Sequence, residues 1–183
     1  MSEATFSYSV EAAETVADLK DYLCQYVDPA KFLACCEACP NYNQVWSCPP
    51  YDFSPLSVWQ NYDEIRLMAR FLIPGENRDG QALVRALHQE KQHFHQELLA
   101  LEAQYPGSLA LSCGSCDACP VCSRKEGLPC RHPEQMRCSI ESLGGDVGKT
   151  AEDYFHKPIL WMEGNIAPDY LMLVGGLLLK KPH

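Results

Sequence analysis

The sequence predicts an α/β fold of the mixed α+β kind, with a single small sheet, packed helices and two cysteine-rich loops at one end. Three segments support this prediction: an apolar run over 63–73, a long amphipathic segment over 79–104 and a second apolar run over 169–180. Runs of this length are typical of buried strands, and apolar residues three and four apart are typical of a helix. A chain of 183 residues can bury one core, so residues 1–183 are predicted to form a single domain.

The first predicted element is an amphipathic helix over residues 11–27, which ends at Asp28-Pro29. Its apolar positions recur at helical spacing: Val16, Leu19, Leu23 and Val27. Cys24 lies inside this pattern, so it is interpreted as a small buried apolar residue.

The two central elements are a buried strand over 63–73 and a long helix that begins with Asp79 as its N-cap. One face of this helix is apolar and carries Leu83, Leu87, Phe94, Leu98 and Leu101. Three histidines lie mostly off that face and are expected to be solvated polar residues: His88, His93 and His95.

The C-terminal half is predicted to contain shorter elements. In order they are a strand over 108–112, a short helix from Ser139 to Gly144-Gly145, a helix over 149–155 and a final strand over 169–180. The Gly175-Gly176 pair inside the final strand predicts a bulge or a hairpin-like bend.

Composition limits the possible functions. The formal charge of −9 argues against nucleic-acid binding, which depends on basic residues, and the longest apolar run, over 171–179, is too short to cross a membrane. Residues 1–10 lack the basic and apolar segments of a signal peptide, so a cytoplasmic location is expected. Thiols are reduced there, which favours metal ligation over disulfide bonding for the 11 cysteines.

The densest cysteine pattern occupies residues 113–130. It places cysteines at positions 113, 116, 119 and 122, followed by Cys130 after seven residues. Thiolates at every third residue can surround one compact group, as in the cysteine runs of bacterial ferredoxins. Zinc sites more often use two Cys pairs separated by a longer spacer. The spacing therefore favours an iron–sulfur cluster, with zinc, thiol chemistry and disulfides as alternatives.

A second cysteine group lies in residues 35–50, which are rich in proline, asparagine and aromatic residues and are predicted to form a loop. Cys36 and Cys39 form a Cys-x2-Cys pair, and Cys48 follows. Three thiolates can hold a metal with one open position, or a fourth ligand could come from Cys35, Cys24 or a distant residue. Tyr42 and Trp46 would shield such a site from water. The alternative is a loop packed by its aromatic residues, with incidental cysteines.

Taken together, the two groups resemble a family of predicted metal-binding proteins, DUF2284. The resemblance rests on three segments. The first is Cys36-x2-Cys39-Pro-x-Tyr42 with Trp46-Ser-Cys48-Pro49-Pro50, and the second is Gly114-x-Cys116-x2-Cys119-x2-Cys122 with Gly127-x-Pro129-Cys130-Arg131-His132-Pro133. The third is Arg137-x-Ser139-x-Glu141-x2-Gly144-x-Asp146-Val147.

This resemblance implies two ligand groups, one of Cys116, Cys119, Cys122 and Cys130, and another of Cys36, Cys39 and Cys48. Cys113 is left out of both groups, because the family usually has a small residue there. Cys138 and Ile140 also depart from the family pattern, in which proline and methionine are usual.

These observations predict a cytosolic iron–sulfur protein with one or two [4Fe–4S] clusters that transfers electrons or supports a redox partner protein. Backbone N–H groups near Gly114 and Gly127 could donate to the cluster sulfurs. One alternative is a structural zinc module that serves protein interactions. Another is a redox enzyme with an open iron at the three-cysteine site, where Arg131 and His132 would bind an anion or relay a proton. Simpler roles for Arg131 and His132 are a surface salt bridge and a hydrogen bond to the loop.

Overall fold

A four-stranded antiparallel sheet forms the centre of the computed structural model, which describes residues 5–181. Its strand order is β1-β2-β4-β3. The strands are β1 (Tyr8–Asp18), β2 (Glu64–Pro74), β3 (Leu109–Leu111) and β4 (Leu171–Leu179). This sheet and its helices confirm the predicted mixed α+β class.

Five α-helices occur in the described part of the chain: α1 (Leu19–Tyr26), α2 (Pro29–Glu37), α3 (Pro55–Trp59), α4 (Gly80–Gln104) and α5 (Val147–Phe155). Two short 3₁₀ turns lie at Ser123–Glu126, inside the cysteine segment 113–130, and at Glu141–Leu143, after it. Among residues 5–181, no helix is both long enough and apolar enough to cross a membrane.

The central strands β2 and β4 are covered on both faces, which explains the nearly continuous apolar sequence of β2. Helix α4 packs on one face through Leu83, Phe94 and Leu98, which are almost completely buried. Helix α1 and the 3₁₀ turn that contains Leu143 cover the other face. The predicted α4, its Asp79 cap and its apolar stripe are therefore confirmed.

The predicted helix over 11–27 is wrong in its first half. Residues up to Asp18 continue β1, which pairs with β2 along its whole length, and Asp18 then caps α1. Val16 fits the helical spacing but is 53% exposed on the strand. Pairing with a strand distant in sequence outweighs the local pattern, as is common for strands. The prediction for Cys24 is also wrong, because this residue is exposed on α1.

Two further predictions require correction. Residues 35–37 belong to the end of α2, so the predicted loop over 35–50 starts too early. The glycine pair in β4 causes no bulge, because Gly175 and Gly176 stay in register with Met68 and Leu67. These glycines instead allow close backbone approach, since a Cβ on Gly175 would lie 2.8 Å from the carbonyl oxygen of Leu111.

Polar side chains of α4 hold both ends of the segment 113–138. Lys91 donates to the carbonyl of Ser115 over 2.5 Å, and Glu102 forms a bidentate pair with Arg137 over 2.6 and 2.7 Å. A ring nitrogen of His95 lies 2.8 Å from the carbonyl oxygen of Gln135. The expectation that His95 is a solvated residue is therefore wrong, whereas the side chains of His88 and His93 are largely exposed.

The glycine pair at 144–145 brings α2 against the second 3₁₀ turn. Gly144 has a φ of 86°, and a Cβ there would lie 2.5 Å from Cα of Pro29, the first residue of α2. Its carbonyl accepts the N–H of Asp28 over 2.8 Å. This close approach sets the helix that carries Cys36 beside the turn that carries Glu141.

Candidate metal centre

One pocket, called here the four-cysteine pocket, is lined by all four cysteines of the first predicted group: Cys116, Cys119, Cys122 and Cys130. Val45, Trp46 and Met136 add apolar surface, and Arg131 and His132 add basic groups. The cavity measures about 20 Å³, which is room for about one water-sized body.

The turn after Cys122 brings Cys130 back to this pocket. The 3₁₀ turn ends at Gly127, which adopts a φ of 68° that favours glycine. Ser123 is buried behind the turn, where its hydroxyl donates to the carbonyl of Pro129 over 2.7 Å and its own carbonyl accepts the N–H of Leu128. A reversal of this kind is what a Cys-x7-Cys spacing needs to bring both thiols to one side.

The two basic residues of the four-cysteine pocket make the contacts expected of their simpler roles, which are a surface salt bridge and a hydrogen bond to the loop. Arg131 donates to the carbonyl of Val121 over 3.0 Å and pairs with Glu126 over 3.1 Å. His132 lies 3.5 Å from a carboxylate oxygen of Glu134. Both side chains nevertheless contribute to the pocket lining.

A second pocket, called here the three-cysteine pocket, is lined by Cys36, Cys39 and Cys48. Cys36 lies in the last turn of α2, and the N–H of Cys39 donates to its carbonyl over 3.0 Å. The cavity measures about 210 Å³, and its lining also includes Tyr42 and Glu141.

The two pockets adjoin because the cysteine segments are hydrogen-bonded to each other. The N–H of Cys116 donates to the hydroxyl of Ser47 over 2.8 Å, next to Cys48. Arg124 donates to the carbonyl of Val45 over 3.0 Å and stacks on the ring of Trp46. Arg124 and Ser47 thus fix the two segments together, and sequence reasoning identified neither residue.

Burial raises the pKa of three of the thiols that line these pockets. It raises the pKa of Cys48 to about 11, against the opposing effect of the Ser47 hydroxyl. Burial also raises the pKa of Cys36 and of Cys116. These thiols are therefore neutral near pH 7, so a metal ion that binds thiolates would displace protons, and its affinity would increase with pH.

Glu141 is an acidic residue of the three-cysteine pocket that sequence reasoning did not assign to a site. Its Oε1 accepts the N–H of Gly114 over 2.9 Å, while its buried Oε2 has no hydrogen-bond partner among the described residues. Burial raises the pKa of this carboxyl. The only signal in the sequence was its place in the segment Arg137-x-Ser139-x-Glu141.

The N–H groups of Gly114 and Gly127 themselves are not available to donate to cluster sulfurs. The Gly114 N–H is bonded to Glu141, and the Gly127 N–H donates to the carbonyl of Arg124 over 3.0 Å. Both of these donors are therefore already hydrogen-bonded within the protein.

The remaining cysteines lie outside the two pockets. Cys113 is buried against the sheet, in the core that includes α4, and Cys35 is exposed on α2. Cys138 is partly buried, near Tyr51.

The donor chemistry of the two pockets fits a thiophilic metal or cluster. Within residues 5–181, no three His, Cys, Asp or Glu side chains are grouped closely enough to hold a metal ion as they stand. A metal group in either pocket would thus require its thiols to move.

Comparison with known proteins identifies the family. The family model described as "Predicted metal-binding protein (DUF2284)" matches residues 25–179, which include both cysteine pockets. Neither a curated protein nor a solved structure gives a significant match. Since the matched region covers most of the chain, the protein belongs to the DUF2284 family of predicted metal-binding proteins.

Proposed function

We propose that the protein is a cytosolic electron carrier that holds a [4Fe–4S] cluster with Cys116, Cys119, Cys122 and Cys130. The observation that carries this proposal is that all four cysteines line one pocket, whose lining has no acidic residue and two basic ones. A cluster held by four thiolates is anionic, so the guanidinium of Arg131 would stabilise it.

The residues around the four-cysteine pocket have distinct roles in this proposal. The four thiolates bind the cluster, which supplies one-electron chemistry when bound. Trp46 and Met136 exclude water from it, and low solvent exposure is one of the factors that set a reduction potential. Val121 and Leu128 are each 51% exposed near this pocket. These exposed apolar side chains could contribute to docking of a redox partner protein.

A structural zinc site is the second candidate, and one observation favours it. A cavity of about 20 Å³ suits a single ion better than a cube, which would require the loop to open. A zinc ion would then supply folding energy to residues 113–138 without redox chemistry.

Reduction with dithionite under anaerobic conditions separates the two candidates. Protein that carries a cluster should be brown, should bleach on reduction and should recover its colour on reoxidation with a mild oxidant, because the cluster exchanges one electron. A colourless protein with stoichiometric zinc, insensitive to dithionite even after anaerobic reconstitution with iron and sulfide, would contradict the electron-transfer proposal.

A further inference from the structure

We propose that the carboxylate of Glu141 is the fourth donor of a second metal centre, held otherwise by Cys36, Cys39 and Cys48. This proposal goes beyond the electron carrier proposed above, since it names a ligand that neither the cysteine spacing nor the family description assigns. It depends on that proposal only for the identity of the metal.

The first support is the location of the carboxylate. Glu141 lines the same pocket as the three thiols, and its Oε2 is buried and lacks a hydrogen-bond partner among the described residues. A buried carboxylate oxygen without a partner costs free energy, so such groups are normally paired with a donor or a cation. A metal at the thiols would provide that cation.

The second support is the way the side chain is held. The Gly114 N–H donates to Oε1 over 2.9 Å and the Ser139 hydroxyl also stabilises the carboxylate, while Oε2 has no hydrogen-bond partner among the described residues. Hydrogen bonds of this kind commonly orient carboxylates that bind metals. The fixed distance between α2 and the 3₁₀ turn at Glu141–Leu143, set by Gly144 and Pro29, keeps Glu141 beside Cys36.

The third support is that other candidate donors are placed elsewhere or are already bonded. Cys24 and Cys35 are exposed and do not line this pocket. Ser139 and Ser142 line it, but each hydroxyl accepts the N–H of the other residue, over 3.2 and 2.9 Å. Of the residues that line this pocket, Glu141 has a buried anionic oxygen without a hydrogen-bond partner among the described residues, so we assign it as the fourth donor.

The volume indicates the kind of group that the site would hold. The cavity of about 210 Å³ is roughly ten times as large as the cavity of the four-cysteine pocket, so it has more room than a single ion requires. We therefore infer a cluster bound by three thiolates, with the harder carboxylate at its remaining iron. A carboxylate is a weaker ligand for iron–sulfur clusters than a thiolate, so this iron would be the one most open to exchange.

The test uses the full chain purified without oxygen and three variants. Glu141→Gln keeps an oxygen that can accept the Gly114 N–H but removes the anionic donor. Glu37→Gln is the matched control, because this exposed residue follows Cys36 and changes the charge equally. Glu141→Cys replaces the carboxylate with a thiolate. Metal bound per chain is measured, and X-ray absorption at the metal counts its sulfur ligands.

The proposal predicts that Glu141→Gln loses most of one centre, that Glu37→Gln matches the wild type, and that Glu141→Cys retains metal with more sulfur ligands than the wild type. Equal metal content in Glu141→Gln and Glu37→Gln would overturn it. Loss of metal in both Glu141 variants would also overturn it and would make Glu141 a support of the loop. If the electron-carrier proposal fails, the result is a different one. Iron and sulfide would then be absent from the wild type and from all three variants, including Glu37→Gln.

Discussion

Removing metal from the full chain should make the middle of the segment 113–138 sensitive to trypsin while α4 remains protected. The segment contains little regular structure beyond one 3₁₀ turn, and Lys125 and Arg131 are exposed on it. It buries too little apolar surface to offset the entropy lost on ordering, so bound metal should supply much of its stability. We expect cleavage at these two residues to be at least about tenfold faster without metal, which corresponds to a local destabilisation of ~1.4 kcal/mol or more.

Cleavage sites in α4 provide the internal control for this experiment. Arg85 and Lys91 lie on a helix that packs on the sheet through Phe94 and Leu98, so their cleavage should stay slow with or without metal. Mass spectrometry of the fragments measures both rates in one digest. Identical rates at Lys125 in metal-loaded and metal-free protein would show that metal does not order the segment.

Replacing Cys119 with alanine should abolish the metal centre of the four-cysteine pocket and leave the three-cysteine pocket loaded. Cys119 lines the first pocket only, and it lies in the middle of the Cys-x2-Cys-x2-Cys run. Loss of one of four thiolates commonly weakens metal binding far more than loss of a neighbouring residue that is not a ligand. Metal bound per chain should fall by about half if both centres are filled.

Cys113→Ala is the matched control, three residues before Cys116. Cys113 is buried in the core beside α4, so its truncation should cost about 1 kcal/mol of stability but no metal. Its Sγ would lie 3.4 Å from a Cβ added at Gly175, which places it against β4. If Cys113→Ala lost as much metal as Cys119→Ala, the division of the cysteine run into ligands and a core residue would be wrong.

The elements that sequence patterns predicted well are those in which local preference and burial agree. Helix α4 has a capping Asp79 and an apolar stripe that continues to Leu98, so its limits were predictable to within a residue. Strand β1 was missed because its residues are mostly exposed and its conformation depends on pairing with β2. The spacing of apolar residues alone could not show that Val16 lies in an edge strand.

The candidate site was likewise predictable only where its contacts are local in the sequence. Spacing predicted which cysteines lie together, because neighbours in a short loop cannot lie far apart. Contacts between distant segments were not predictable in this way. Arg124 donates a hydrogen bond to Val45, which is 79 positions away in the sequence, and Glu141 accepts one from Gly114, which is 27 positions away. Such pairs depend on the packing of α2 and the 3₁₀ turns, which no local pattern in the sequence records.

The most direct test of the metal centres is the iron and acid-labile sulfide content of the full chain purified without oxygen. A [4Fe–4S] cluster carries about four iron atoms and four sulfides, so we expect equal amounts of both, near four per chain for one filled pocket and near eight for two. Cys119→Ala should lower both values together. Protein that contains zinc and no sulfide, or iron without sulfide, would show that these cysteines do not hold iron–sulfur clusters.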